Sequence, residues 1–448
     1  MAFLMFMLLA VFLISAYFLG DKDLLSPWFL LCLMIFAMFA IVLLNYGNWD
    51  VKINPLFVLY VGTAIISFGF GGILIKCVSL KSTVKAGPSN RIPVDEAKIK
   101  RRYPAYLLLV VSCGLALIYI YKLLSDVSDI ASFSGKLRKI YENTVDGYTP
   151  GFIYNQILEV ITAIAYVNTF RLMVRIFSRK DKANIFVLIL PILFFIAAAL
   201  ITTDRNIFLR YAFYFICLYV LFLKENYRKK NVNLKIIQKV FIFGIIAVLI
   251  FFVLGKTKQY SSSFIDSLSI YGGSGLYNYN LWLEDFEGPF LYGNATFSTF
   301  LTSFNTILEY IGINANIQTL DRFDKFIEFN TSNGYFYSSN IYSALKPFTE
   351  DFGYLGVIIF PFIIGAFYQW LFILSKKKKY GLAWILYCML IYPIFFFPIA
   401  DQLFGRFTLG FVYELVWIII IYNLVIGRRR VAVKRAIPKV NGVQNAKQ

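Results

Sequence analysis

The chain has 448 residues, of which 59% are apolar and 15% charged, with a formal net charge of +19. A soluble fold of this length cannot hide so much apolar surface, whereas a bilayer can. The excess Lys and Arg sit in short clusters between apolar runs (KRR at 100–102, KKKK at 376–379, RRR at 428–430), which is the pattern of cytoplasmic loops and not of a continuous basic face, so no nucleic-acid partner is expected.

A spanning helix needs roughly 20 predominantly apolar residues. Eleven runs qualify: 2–19, 26–44, 55–75, 104–124, 152–174, 184–203, 206–223, 237–255, 353–374, 381–400 and 407–426. The expected fold is therefore all-α, a polytopic integral membrane protein of about eleven spans. The first run lacks a basic flank and a small-residue cleavage site before Asp21, so it reads as a span and not as a cleaved signal. One set of alternate loops carries 29 Lys and Arg and the opposite set 11, which makes the first set cytoplasmic. The N-terminus then lies outside, the C-terminus inside and the long 256–351 interval outside. The expected organisation is spans one to eight over 1–255, a long outer loop over 256–352, spans nine to eleven over 353–426, and a basic cytoplasmic tail over 427–448.

The five cysteines lie in or beside apolar runs and read as isolated thiols. There is no histidine, which removes the commonest general base and metal ligand. Acid–base work then falls to a carboxylate, Tyr or Lys; no carboxylate cluster suggests a metal, and no cofactor is expected. Within the long loop, Phe297, Phe300, Leu301, Phe304, Leu308 and Ile311 recur at helical spacing with polar residues between them, which predicts an amphipathic interfacial helix. Ahead of it, Gly272, Gly273 and Gly275 are expected to interrupt regular structure.

Ionisable groups inside spans are costly and mark function. Glu159, Arg210 and Glu414 qualify, all in the expected outer half of the membrane, while Arg171, Lys239 and Lys122 lie near span ends and are expected to snorkel. Two clusters sit at the outer rim. TTDRNIFLR (202–210) carries Asp204, whose simplest role is to cap the next helix, and Arg205, whose cation at a helix start opposes the dipole and favours an anionic partner. ADQLFGRF (400–407) carries Asp401 and Arg406. The loop adds Glu284, Asp285, Lys346 and Asp351, with Tyr271, Tyr277, Tyr279, Trp282, Tyr337, Asn340 and Tyr342. Guanidinium forks grip phosphate oxygens and aromatic faces cover a pyranose, so this mixture suits a sugar linked to phosphate.

The layout of TTDRNIFL (202–209), YGGSGLYNYNLWL (271–283), LYGNATF (291–297) and NIYSALKPFTEDFGYLG (340–356) resembles the Wzy-type O-antigen or oligosaccharide repeat-unit polymerases. The resemblance implies transfer of a growing glycan from undecaprenyl diphosphate to the non-reducing end of a new lipid-linked repeat unit. It also implies the helical fold of the GT-C-type membrane glycosyltransferases, location in the bacterial inner membrane with the site facing the periplasm, and a chain-length regulator as a further partner. On this reading Arg205, Arg210 and Arg406 take the departing diphosphate, Asp401 is the first choice of base, and Glu284 or Asp285 is the reserve. The alternative is a polytopic transporter or flippase for the same substrate, against which no paired halves are visible. O-antigen ligases and the common membrane acyltransferases resemble histidine-dependent enzymes, and this chain has no histidine.

Overall fold

Without water to satisfy its amides, a chain in hydrocarbon must close its hydrogen bonds internally, and these apolar runs do so as helices. The structure, a computed structural model, describes residues 1–85, 103–145, 150–178, 183–202, 204–226, 264–313, 325–330 and 336–426, with four further positions between 238 and 244. The first half comprises α1 (Ala2–Leu19), α2 (Pro27–Leu44), α3 (Pro55–Lys85), α4 (Tyr103–Ser125), a short amphipathic α5 (Phe133–Val145), α6 (Phe152–Ser178), α7 (Ile185–Ile201) and α8 (Arg205–Asn226). The second half comprises α9 (Phe264–Glu284), α10 (Ser298–Tyr310), a hairpin of β1 (Ile327–Asn330) and β2 (Phe336–Ser339), α11 (Leu345–Lys377), α12 (Leu382–Leu390), α13 (Tyr392–Phe396), a 3-10 turn at Phe404–Arg406, and α14 (Leu409–Ile426).

Among the described residues eight helices are long and apolar enough to cross a membrane, and the chain is a membrane-embedded all-α protein. Those eight match eight of the eleven expected spans. Two more expected spans appear as shorter apolar helices, Ile185–Ile201 and Leu382–Phe396. The second of these is interrupted after Leu390, where Pro393 falls in the first turn of a new helix and has no N–H to continue the old one. The remaining run, 237–255, and the tail at 427–448 lie outside the described residues, apart from isolated positions.

The tightest pair is α3 with α11, and it is parallel: Ser67 Oγ donates to the Ile358 carbonyl at 2.6 Å, and Lys377 Nζ donates to Ser79 Oγ at 2.9 Å near the far end. Glycine makes this approach possible. A Cβ on Gly71 would lie 2.0 Å from the Phe362 carbonyl oxygen, and one on Gly365 2.1 Å from that of Phe68. The α11 helix bends at Phe352 and Gly353, where Gly353 adopts φ 56° and ψ −137°, so the expected start of span nine at 353 is a kink inside a helix that begins at Leu345.

The long loop departs from expectation at its glycines. Gly272, Gly273 and Gly275 lie inside α9 and do not interrupt it. Their role is packing: a Cβ on Gly275 would meet the Pro398 carbonyl oxygen at 2.6 Å, and one on Gly272 would meet Ile41 Cδ1 at 2.6 Å. The helical penalty of glycine, about 1 kcal/mol relative to Ala, is offset because only a bare backbone lets α9 seat this close. The amphipathic helix is present as α10, with Phe300, Phe304 and Ile307 exposed. Antiparallel β1 and β2 pair Phe329 with Tyr337, and Phe329 packs with Trp49, Val51, Ile270 and Tyr277 in a small core of its own.

The bundle has two chemically distinct ends. At one, the α1–α2 turn, the end of α8 and the end of α11 meet through Asp23, which pairs with both Lys224 and Lys376. At the other lie the first turn of α8, the 401–406 turn, α9, α10 and the hairpin.

Candidate functional site

The central helix, α6, packs against α4, α7, α8 and α14. Its residues Asn155, Glu159, Thr162 and Tyr166 fall at i, i+4, i+7 and i+11, so they form one polar line on an apolar helix. Glu159 lies over Gly410 of α14, where an added Cβ would come within 3.1 Å of its Oε1. It is within electrostatic reach of Glu414, Arg210 and Arg406. Arg406 Nη2 donates to Glu414 Oε2 at 2.6 Å, and its guanidinium covers the Phe411 ring at 4.5 Å. Arg210, one turn into α8, donates Nε to the Asn206 carbonyl at 3.3 Å and interacts with Glu414 and Asp204. Two guanidiniums and two carboxylates from α6, α8, α14 and the 401–406 turn thus share one neighbourhood, in which Glu414 is buried and the other three are half-buried.

Two polar atoms there are unmatched. Arg406 Nε and Glu414 Oε1 are buried and have no hydrogen-bond partner among the described residues. Leaving such atoms bare costs about 1–3 kcal/mol each, a penalty a native fold tolerates where a ligand or water completes the set. Beside the charges opens a cavity of about 200 Å³ lined in part by Tyr119, Asp126, Asn143, Asn155, Thr202 and Asp204. Tyr119 links the two, being in electrostatic reach of both Glu159 and Asp204. The arrangement can hold an anion between fixed guanidiniums and offer a carboxylate to a hydroxyl bound in the neighbouring cavity. Compared with known proteins, the chain matches no family model, no curated protein and no solved structure.

The residues singled out from sequence divide into those that join this group and those that hold the fold. Arg210, Arg406, Glu159 and Glu414 come together, with Asp204 at the cavity edge. Asp204 caps α8 as expected, its Oδ1 accepting from Asn206 N at 2.8 Å. The side chain of Arg205, at the start of α8, and that of Tyr337 lie outside the described residues. Asp401 is occupied: its oxygens accept from the backbone N–H groups of Leu403, Phe404 and Gly405 at 3.0, 3.1 and 3.2 Å. Those bonds fix the turn that carries Arg406 and commit both carboxylate oxygens to backbone donors.

The loop residues are mostly structural. Tyr279 is fully buried and hydrogen-bonded to Thr349 Oγ1 at 2.8 Å, while Tyr277 is buried against Trp49 with its hydroxyl near the Asp50 carbonyl at 3.3 Å. Neither ring can stack on a sugar. Tyr342 is buried and donates to the Lys325 carbonyl at 2.8 Å. Asp351 is buried and accepts from Ala295 N and Thr296 N at 2.9 and 2.6 Å, tying the 291–297 turn to α11. Lys346 pairs with Glu350 at 2.9 Å and lies over Tyr342 and Trp282. Trp282 and Tyr271 are half-buried, and Glu284, Asp285 and Asn340 are exposed. The loop group meets the charged group through aromatic packing: Phe348 contacts Phe404, two residues before Arg406, at 5.9 Å.

Sequence reasoning missed Asn155, Tyr119 and Asn143. The i, i+4 relation between Asn155 and Glu159 was available as a signal; the other two come from distant segments and leave none. Arg171 was expected to snorkel, but it is 0% exposed. Thr169, Phe170, Leu172 and Met173 are buried with it, so α6 is enclosed by protein over this stretch. Lys122, by contrast, pairs with Asp126 at 2.5 Å, and Lys239 is exposed.

Proposed function

We propose that this chain is a membrane glycosyltransferase that polymerises lipid-linked oligosaccharide repeat units, an O-antigen polymerase of the Wzy type serving surface polysaccharide and lipopolysaccharide biosynthesis. It transfers the growing glycan from undecaprenyl diphosphate to the non-reducing end of a new undecaprenyl-diphosphate-linked unit. In this reading the chain sits in the bacterial inner membrane with about eleven spans, a GT-C-like fold, the N-terminus and site outside, the C-terminus in the cytoplasm, and a chain-length regulator as partner. The observation that carries the proposal is the convergence of Arg210, Arg406, Glu159 and Glu414 beside a cavity whose largely apolar wall carries Tyr119, Asn143, Asn155 and Asp204.

The acceptor hydroxyl gives its proton to a carboxylate, its oxygen bonds the donor's anomeric carbon, and the bond from that carbon to phosphate breaks with its electron pair on the diphosphate. Arg210 and Arg406 neutralise the charge that develops there; donors placed in advance at such an oxyanion contribute about 3–4 kcal/mol each. Arg205 at the start of α8 is a third candidate. For the base the geometry favours Glu159 over Asp401, because Glu159 lines the charged group and is not committed to backbone donors.

The test is elongation by purified protein in proteoliposomes supplied with a lipid-linked repeat unit. Wild type is expected to give a ladder of longer saccharides. Arg210→Lys and Arg406→Lys keep the charge but lose the fork, and they are expected to shorten the ladder. Arg210→Ala and Arg406→Ala are expected to reduce elongation by about 100-fold or more while the protein elutes at its native position. Movement of the lipid across the bilayer with no elongation would identify a flippase and sink the proposal.

A further inference from the structure

At the lysine-rich end of the bundle a second cavity, of about 300 Å³, opens between the end of α1, α3 and α11. It takes no part in the reaction proposed above, for Arg210 lies at the opposite end of α8 from Lys224, whose partner Asp23 stands beside this cavity. Its floor is apolar and its backbone bare. The Trp28 indole lies against Gly69, where an added Cβ would fall 2.4 Å from the ring, and its Nε1 donates to the Ile65 carbonyl at 3.1 Å. Leu19 and Ile73 line it too, and both are open to the outside, at 54% and 37% exposure.

The rim is cationic. Lys76, Lys376 and Lys377 line the cavity, with Asp21 as the single carboxylate among the described residues. Asp21 accepts from Lys76 at 2.8 Å, while Asp23, just behind, serves Lys376 at 3.2 Å and Lys224 as well. Among the described residues Asp21 and Asp23 therefore face Lys76, Lys376, Lys377 and Lys224, which leaves two positive charges in excess. Lys377 is directed to the hydroxyl of Ser79 at 2.9 Å and not to an acid. A hydrocarbon-facing floor beneath an under-neutralised rim, at the ends of spanning helices, matches one ligand chemistry: a phosphate anion carried on acyl chains. A free phosphate would find the charges but would have no use for the exposed Leu19 and Ile73.

We propose that this cavity is a binding site for the headgroup of an anionic glycerophospholipid, with the phosphate between Lys76 and Lys377 and an acyl chain along Ile73. Full-length protein in detergent would be equilibrated with an equimolar mixture of phosphatidylglycerol and phosphatidylcholine of matched chains, and retained lipid counted by native mass spectrometry. One retained phosphatidylglycerol per chain is expected. Lys76→Gln combined with Lys377→Gln, which spares the Asp23 clasp, is expected to cut its retention about tenfold. Ile73→Trp, which fills the floor without changing charge, is expected to do the same. Lys378→Gln with Lys379→Gln, which alters the same surface outside the cavity, is expected to leave retention unchanged.

Equal retention of the two lipids by wild type would overturn the proposal, a result that does not depend on any variant folding. So would an equal loss in the Lys378 and Lys379 control, which would mean general surface attraction. Complete displacement by millimolar inorganic phosphate would also overturn it, in favour of a soluble anion.

Discussion

Glu159 and Asp401 are both carboxylates at the same end of the bundle, yet their surroundings assign them different work. Asp401 spends its oxygens on three backbone N–H groups and thereby shapes the turn that presents Arg406. Glu159 faces Glu414 and two guanidiniums and forms no ion pair within 4 Å among the described residues. The assignment predicts opposite sensitivities in the elongation assay. Glu159→Gln keeps size and removes the proton acceptor, so turnover is expected to fall by about 100-fold or more. Asp401→Asn keeps an oxygen for at least two of the three backbone donors, so only a severalfold loss is expected. The reverse order would return the base to Asp401. At this scale the sequence was informative where a charge interrupts an apolar run, because burying one in hydrocarbon needs a reason; Glu159, Arg210 and Glu414 were legible on that ground. The partner each charge would choose was not, since it depends on how four segments pack.

Ten of the eleven expected apolar runs are helical among the described residues, one of them interrupted after Leu390, because hydrocarbon leaves the backbone no other solution. In α9 the local rule that glycines break helices fails, for Gly272, Gly273 and Gly275 all lie inside it. Tertiary packing reversed that rule. A Cβ on Gly275 would stand 2.6 Å from the Pro398 carbonyl oxygen and 2.8 Å from Ile399 Cα, and backbone cannot yield as a side chain can. Gly275→Ala is therefore expected to destabilise the protein by about 1–3 kcal/mol through overpacking, despite alanine's better helix propensity. Gly114 is the comparison: it lies in α4 with nothing among the described residues within 4 Å of an added Cβ, so Gly114→Ala is expected to be neutral or stabilising. Thermal unfolding of both variants in detergent, followed by loss of the monodisperse elution peak, checks the pair. Equal midpoints for the two would mean that α9 does not depend on this close approach.

Across the whole molecule, chemistry is separated by end: paired guanidiniums and carboxylates beside a cavity at one, a lysine-rich clasp at the other. The clasp is the junction at which the α1–α2 turn, α8 and α11 are joined, and Asp23 is its centre. Burial alone would raise the Asp23 carboxyl, but Lys224 and Lys376 together outweigh it and hold the group below the usual carboxylate range. A carboxyl depressed in the folded state adds stability above its unfolded value of about 3.9, and that contribution disappears as pH falls through the lower folded value. Wild type and Asp23→Asn should therefore differ most near neutral pH, with the variant melting several degrees lower. The gap should narrow once the pH drops below about 4, as the wild-type carboxyl takes up its proton. Other carboxylates titrate in both proteins alike, so the difference between the two curves isolates the clasp. A gap that stays constant from neutral pH down to pH ~3 would show that Asp23 contributes by shape and not by charge, and that the three helix ends are held by packing alone.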